Sequence, residues 1–226
     1  MDIKITVLDT ETAGVTPPEY GSGVCDIAIV HLDGDLNTVW ESESLIDPEC
    51  KISPEAMGVH HITPEMVFDQ PTLAEYMDLN QMPMMNSNII CGHNVQFDIR
   101  FTRDYLPDNF KVLDTLKLAR ITWPDLESHK LQTIRYTFGL YAGNAHRAMG
   151  DVVTTISLLK YLCCHYQTNI DGLMQLMNAP LSLETKMAFG KHKGERLKDL
   201  HLNYVRWLVE KADIDPDLRE ALVSRL

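Results

Sequence analysis

No stretch of this 226-residue sequence stays apolar for the roughly 18 residues of a membrane-spanning helix. The N-terminus has no basic-then-apolar signal, which predicts a chain that is not exported. Cysteine is scarce: five residues, an odd number with no C-x-x-C pair, argue against a disulfide framework. The adjacent Cys163 and Cys164 lie in an apolar helical pattern and are expected as reduced core residues, so the expected compartment is the cytoplasm. Internal repeats and low-complexity segments are also missing, which excludes a solenoid or a disordered tail. Basic residues are few: 20 Lys+Arg stand against 32 Asp+Glu, a net charge of −12.

The placement of that charge matters more than its sum. Residues 1–185 hold 11 basic and 25 acidic side chains, whereas residues 186–226 hold 9 and 7. An acidic body disfavours tight nonspecific binding to a polyanion. It does not exclude an enzyme that recruits divalent cations and grips only a chain end.

A 45% hydrophobic content supports one full domain with a small appendage. The segments 3–9, 24–32 and 37–46 are apolar or alternating, with the turn-like Asp33–Asp35 before the third, and predict an antiparallel meander. Ser53 and Thr63 each precede a Pro-Glu pair and read as N-caps of short helices. From about residue 72 helix and strand alternate: helix from 72, strand 88–94, helix 97–106, strand 110–115, then helices through "LKLARIT" and "KLQTIRYTFGL". The segment 149–166 reads as the longest amphipathic helix. The expected fold class is α/β: a mixed five-stranded sheet, antiparallel then parallel, flanked by helices. The expected division is a main domain over 1–178, a short linker near 179–185, and a C-terminal extension over 186–226. That extension is too short for a robust core of its own and is expected to dock on the main domain.

Within "LDTET", Asp9 and Glu11 stand two apart, so a strand points both to one face. Asp98 ends "GHNVQFD" and Asp151 ends "AHRAMGD". Singly, each acid has a plain structural role: Asp98 and Asp151 favour helix dipoles, and Asp9 closes a turn. Together they fit a site for hard divalent cations, which take oxygen ligands; Mg²⁺ and Mn²⁺ both suit them. Two such ions can promote attack of water on a phosphodiester and stabilise the departing oxygen. His146, five residues before Asp151, is read alone as an ordinary surface histidine; beside the four acids it is a candidate proton acceptor.

"LDTETAG", "GHNVQFD" and "AHRAMGD", in this order, resemble the three motifs of the DEDDh (DnaQ-like) 3′–5′ exonucleases. "ISPEAMGVHHIT" and "VLDTLKLAR" resemble the family's intervening segments, so the likeness covers about residues 1–165. It implies a ribonuclease H-like fold, Asp9, Glu11, Asp98 and Asp151 as holders of two divalent metal ions, and His146 as general base. Asp26 stands where many relatives have glutamate, and no catalytic role is expected for it. The tail resembles the C-terminal extension of a bacterial exodeoxyribonuclease subgroup. The implied partner is DNA with a free 3′ end, with nucleoside 5′-monophosphates as products and repair or recombination as the setting. The motifs alone serve RNA equally, since that choice depends on contacts around the 2′-hydroxyl. A 3′–5′ exoribonuclease (RNase T-like or oligoribonuclease-like), a polymerase proofreading subunit and a catalytically silent nucleic-acid-binding module are the alternatives.

Expected substrate contacts lie beside the acids: Thr10 and Thr12 around Glu11, then His60, His93, Asn94 and Phe97. Phe97 also reads as core, and Asn94 as a helix cap. Val15 matches a family position that wedges near the terminal bases. Lys191, His192 and Lys193, between Gly190 and Gly194, form a basic turn suited to phosphates or simply a solvated loop. Tyr204 and Trp207 read as packing residues.

Overall fold

A computed structural model of the chain describes residues 5–85, 87–141, 147–187, 189–214 and 216–226. Strands β1 (Ile5–Thr12), β2 (Val24–Leu32) and β3 (Thr38–Leu45) form the expected antiparallel meander. The β2–β3 turn is closed by Asp33, whose Oδ1 accepts from the backbone N–H groups of Asp35 and Asn37. Strands β4 (Ile89–Gly92) and β5 (Lys111–Asp114) add in parallel beside β1, giving the order β3-β2-β1-β4-β5. This is the mixed sheet read from the sequence.

Both faces of the sheet are covered, which is why β2 is buried along its whole length. On one face lie α3 (Leu73–Met85) and α4 (Gln96–Thr102), packing Leu73, Tyr76, Met77, Val95, Ile99 and Phe101 against Leu8, Ile27 and Ile29. The predicted helix over 97–106 ends at Thr102, and Arg103–Tyr105 continue as a tighter 3₁₀ turn. On the other face lie α5 (Thr115–Thr122), α6 (Leu131–Phe138), α7 (Ala148–Tyr166) and α8 (Ile170–Asn178), closing on Ile5, Val7, Ala28 and Val30. Helix α8 was not among the expected elements. Its apolar side chains recur at Ile170, Leu173, Met174 and Met177, and Asn169 caps it by accepting from Gly172 N–H. Cys163 is half-buried and Cys164 exposed, so the expected core pair is instead a helix edge. Both are free thiols. Among the described residues no helix is long and apolar enough to cross a membrane.

Short helices brace the far end of β1. In α1 (Pro54–His60) the Ser53 hydroxyl accepts from Ala56 N–H, the expected cap. Thr63 precedes α2 (Pro64–Val67) without forming a side-chain cap bond, contrary to expectation. With only four residues, α2 has little helix to gain from one. Buried His60 ends α1, accepting on Nδ1 from Ile62 N–H and donating from Nε2 to the Thr12 carbonyl.

The extension holds more core than its length led us to expect. Met187, Leu197, Leu200, Val205, Leu208, Ile214, Ala221 and Leu222 form a cluster separate from the sheet's two cores. Leu181 and Leu183 join it, so the expected linker is partly packing material. Helices α9 (Leu202–Lys211) and α10 (Pro216–Val223) supply Val205, Leu208, Ala221 and Leu222 to that cluster. Lys117–Asp217 and Lys186–Asp125 ion pairs tie the extension to the main body.

Replacing Ser53 with Ala should remove the α1 cap and lower stability by about 1 kcal/mol. The urea midpoint should fall with an unchanged slope.

Candidate active site

The site grows from the end of β1. Asp9 and Glu11 alternate with buried Leu8, Thr10 and Thr12, so both carboxylates leave the sheet on the face covered by α7. A bulge between Glu11 and Thr12 breaks the register with β2 just past the second acid. From the same face α7 presents Asp151 in its first turn. Carboxylate oxygens of Asp9, Glu11 and Asp151 all lie within 4.8 Å of one another. From the opposite face α4 brings Asp98, buried at 4% exposure. Its Oδ1 accepts from Thr10 N–H at 2.9 Å and from the Thr10 hydroxyl at 2.7 Å. Gly92, at the end of β4, permits this approach: a side chain there would press on the Leu8 carbonyl and Val95 at 2.9 Å.

Electrostatics make the cluster unfavourable in the bare protein. Burial, then the charges of Asp98, Asp151, Glu11 and Asp26, hold the Asp9 carboxyl well above its ordinary range. Glu11 is pushed up to about 8 by burial first, then by Asp151, Asp26 and Asp98, with Arg147 opposing. Asp98 rises to about 7 through burial, against the Thr10 hydrogen bonds that lower it. Among the described residues neither Asp9 nor Glu11 accepts a side-chain hydrogen bond, whereas Asp151 accepts from Gln132 Nε2 at 2.6 Å. Closely set, half-buried carboxylates with few donors are the donor set that a hard divalent cation takes. The residues therefore fit the expected metals.

Supporting contacts include several that the sequence did not disclose. Arg135 donates to Gln132 Oε1 and orients the amide that holds Asp151. Buried Asp26, directly across β2 from Glu11, accepts from Arg147 Nε at 2.8 Å and from Ala148 N–H at 3.3 Å. It thereby fixes the start of α7, a structural task consistent with its having no expected catalytic one. Asp114 accepts from the N–H groups of Asn94 and Leu116 and so joins the β4–α4 turn to α5. Asp26, Asn94, Asp114 and Arg147 carried a sequence signal through the segments that resemble the family, whereas Gln132 and Arg135 carried none.

The expected substrate positions divide. Thr10 is committed to Asp98, and the Thr12 hydroxyl donates to the Gly14 carbonyl. His60 is buried against Thr12, and its protonation is disfavoured by that burial. His93 bonds to the Thr115 hydroxyl and the His129 carbonyl. Asn94 is exposed with φ +69°, and Phe97 is half-buried against Phe101. Val15 is 77% exposed beyond the end of β1. Lys191 and Lys193 are exposed on the extension, away from these elements in the chain. His146 lies outside the described residues.

A family model described as Exonuclease matches residues 6–159. Exodeoxyribonuclease 10 of Escherichia coli strain K12 is 30% identical, the match covering 96% of each chain. DNA polymerase III subunit epsilon of Treponema pallidum strain Nichols is 28% identical over 73% of this chain and 78% of that protein. A solved structure of Exonuclease X in complex with 5′-overhanging duplex DNA superposes with a TM-score of 0.63 at 27% identity, covering 77% of this chain and 99% of that one. The chain belongs to the exonuclease family. Its sheet is the ribonuclease H-like fold of these exonucleases, with the acids at the end of the central strand.

Two predictions follow from the exonuclease site. In the metal-free protein the native acids keep protons up to about pH 7–8 that the unfolded chain loses near pH 4. The folded state then binds more protons, so stability must fall as pH rises across that window. Melting temperature in chelator should drop between about pH 5 and about pH 9, and excess Mg²⁺ should restore more of it at the alkaline end. Thr10→Val keeps the backbone bond to Asp98 and removes the hydroxyl. We expect divalent-metal affinity to fall about 10- to 100-fold, read by titrating the melting shift with Mn²⁺.

Proposed function

We propose that the chain is a divalent-metal-dependent 3′–5′ exodeoxyribonuclease that releases nucleoside 5′-monophosphates from DNA ends. The observation that carries this reading is the convergence of Asp9, Glu11 and Asp151 within 4.8 Å at the end of β1, with Asp98 held beside them by Thr10. Asp9, Glu11, Asp98 and Asp151 are assigned as holders of two divalent cations, Mg²⁺ or Mn²⁺. When bound, these ions supply positive charge for the scissile phosphate and favour deprotonation of the attacking water. His146, by its spacing from Asp151, accepts the proton of that water. The new P–O bond forms as the bond to the 3′ oxygen of the preceding nucleotide breaks; that oxygen takes a proton from solvent, leaving a 3′-hydroxyl and a free 5′-monophosphate.

The remaining residues orient the end. Val15, exposed past the bulge, is assigned to the terminal bases, and Asn94, His93 and Phe97 to the same end of the strand. Thr10, Thr12 and His60 act by fixing the backbone that carries Glu11. Residues 1–178 are assigned to catalysis and 186–226 to DNA contact through Lys191 and Lys193. An exodeoxyribonuclease is favoured over a proofreading subunit because the match to exodeoxyribonuclease 10 spans 96% of this chain, against 73% for the epsilon subunit. We infer a cytoplasmic role in repair or recombination.

The test is a digestion panel of matched single- and double-stranded DNA and RNA, labelled at the 5′ end, with Mg²⁺. DNA should shorten from its 3′ end, Asp9→Ala should abolish this without loss of fold, and His146→Ala should slow it by at least about 100-fold. Full metal-dependent activity in both variants would overturn the mechanism, and selective RNA digestion would overturn the substrate.

A further inference from the structure

Beside the basic turn assigned to DNA contact, the extension carries rings that the catalytic reading leaves without a task. Helix α9 turns Val205 and Leu208 into the extension's own core and sets Trp207 outward, 51% exposed. Tyr204 lies one turn earlier, its ring stacked on Trp207 at 5.7 Å between centroids and 18° between planes. His192 packs on Tyr204 at 4.3 Å, and Lys191 Nζ stands 5.3 Å from the Tyr204 ring centre. The basic turn is thus folded against α9. Gly190 and Gly194, at φ +70° and +88°, allow it, and a side chain at Gly190 would crowd the Tyr204 hydroxyl at 3.3 Å. Tyr204 packs against the extension's core as expected, and the row of rings ends openly at Trp207.

Charge identifies what the row suits. Elsewhere on the extension the basic side chains are engaged: Lys186 with Asp125, Arg196 with Asp199 and Glu184, and Lys198 with Glu184. Arg219 and Arg225 donate to backbone carbonyls. Among the described residues Lys191, Lys193, Arg206 and Lys211 form no ion pair, and all four lie on the basic turn or on α9. Lys211 stands one helical turn beyond Trp207, and Glu210 is the acid on that stretch. The exposed face of Trp207 beside uncompensated cations is what an unpaired base and its phosphates require. A cleft between the main body and the extension is lined by Asn94, Gln96 and Asp114 on one side and by Phe189, Lys193 and Gly194 of the basic turn on the other.

We propose that Trp207, backed by Tyr204, and the Lys191–Lys193 turn form an accessory site for single-stranded DNA, the open Trp207 face stacking an unpaired base while the lysines meet phosphates. This rests on the nuclease reading for its substrate. The strand leading away from a 3′ end in the catalytic site would be held here, keeping the acidic body on its substrate.

The test measures binding of a fluorescent oligothymidylate to the full chain in chelator, where no cleavage occurs. Trp207→Ala should weaken binding about tenfold, the scale of one lost base–ring stack, and Trp207→Phe should restore most of it. Replacing both Lys191 and Lys193 with Ala should reduce the slope of log affinity against log salt by about 1.4. A blunt duplex, whose bases already stack on one another, should lose little with Trp207→Ala. Unchanged oligothymidylate affinity in Trp207→Ala would overturn the site, and an equal loss on the duplex would overturn stacking. Hydrolysis of the p-nitrophenyl ester of thymidine 5′-monophosphate by the wild-type chain with Mn²⁺ reads the nuclease assignment by itself. No hydrolysis alongside Trp207-dependent binding would sink that assignment and leave the accessory site standing.

Discussion

The repulsion among carboxylates at the end of β1 is the constraint around which the main domain is arranged. Asp9, Glu11 and Asp151 would separate if their supports were soft, because each raises the cost of ionising the others. They are kept together by two hydrophobic cores on opposite faces of one sheet. Helix α7 is anchored by Val152, Ile156, Leu158, Leu159 and Leu162 in one core, and α4 by Ile99 and Phe101 in the other. The apolar burial along these elements far outweighs what a few charges can oppose, at about 1.5–3 kcal/mol for each large side chain. Charges too close for comfort in water are thereby made into a standing demand for cations.

Local devices then set the acids' directions. Thr10 is the hub: its side chain belongs to the face opposite Asp9 and Glu11, and both its donors meet Asp98. One residue thus joins the two faces at the point where the site forms. The bulge after Glu11 and the His60 hydrogen bond to Thr12 end the strand at a fixed place. Asp26 and Gln132 act on α7, the first through Arg147 and Ala148 at its start, the second on Asp151 itself. Each of these bonds spans long sequence separations, so they exist only once the fold is complete.

That explains which parts were legible in the sequence. Strands β1 and β2, the Ser53 cap and α7 follow from local pattern, because alternation, Ser-Pro-Glu and 3.6-residue spacing express themselves within a dozen residues. The acids were legible as a set through their motifs. Gln132 was not, since a glutamine on an ordinary amphipathic helix gives no sign of what it will face. Thr10 was read as a substrate contact because its neighbours are catalytic candidates, whereas its hydroxyl is used 88 positions away. The core of the extension was underestimated for a similar reason: Leu181 and Leu183 look like linker until Met187 and Leu197 close over them.

An acidic body and a basic appendage in one chain answer opposing electrostatic needs. The carboxylates that attract divalent cations also repel the phosphates of the substrate, and Arg147, the cation that acts on Glu11, is paired with Asp26. Adding lysines around the acids would relieve the repulsion of DNA but would also compete with metal for the carboxylates. Placing unpaired cations on a separately packed unit avoids that conflict, because screening confines their effect to about 10 Å at ordinary ionic strength. The unit must then be rigid enough to present its rings and charges together, and this is what its own hydrophobic cluster provides. The ion pairs of Lys117 with Asp217 and Lys186 with Asp125 tie that unit to the main body.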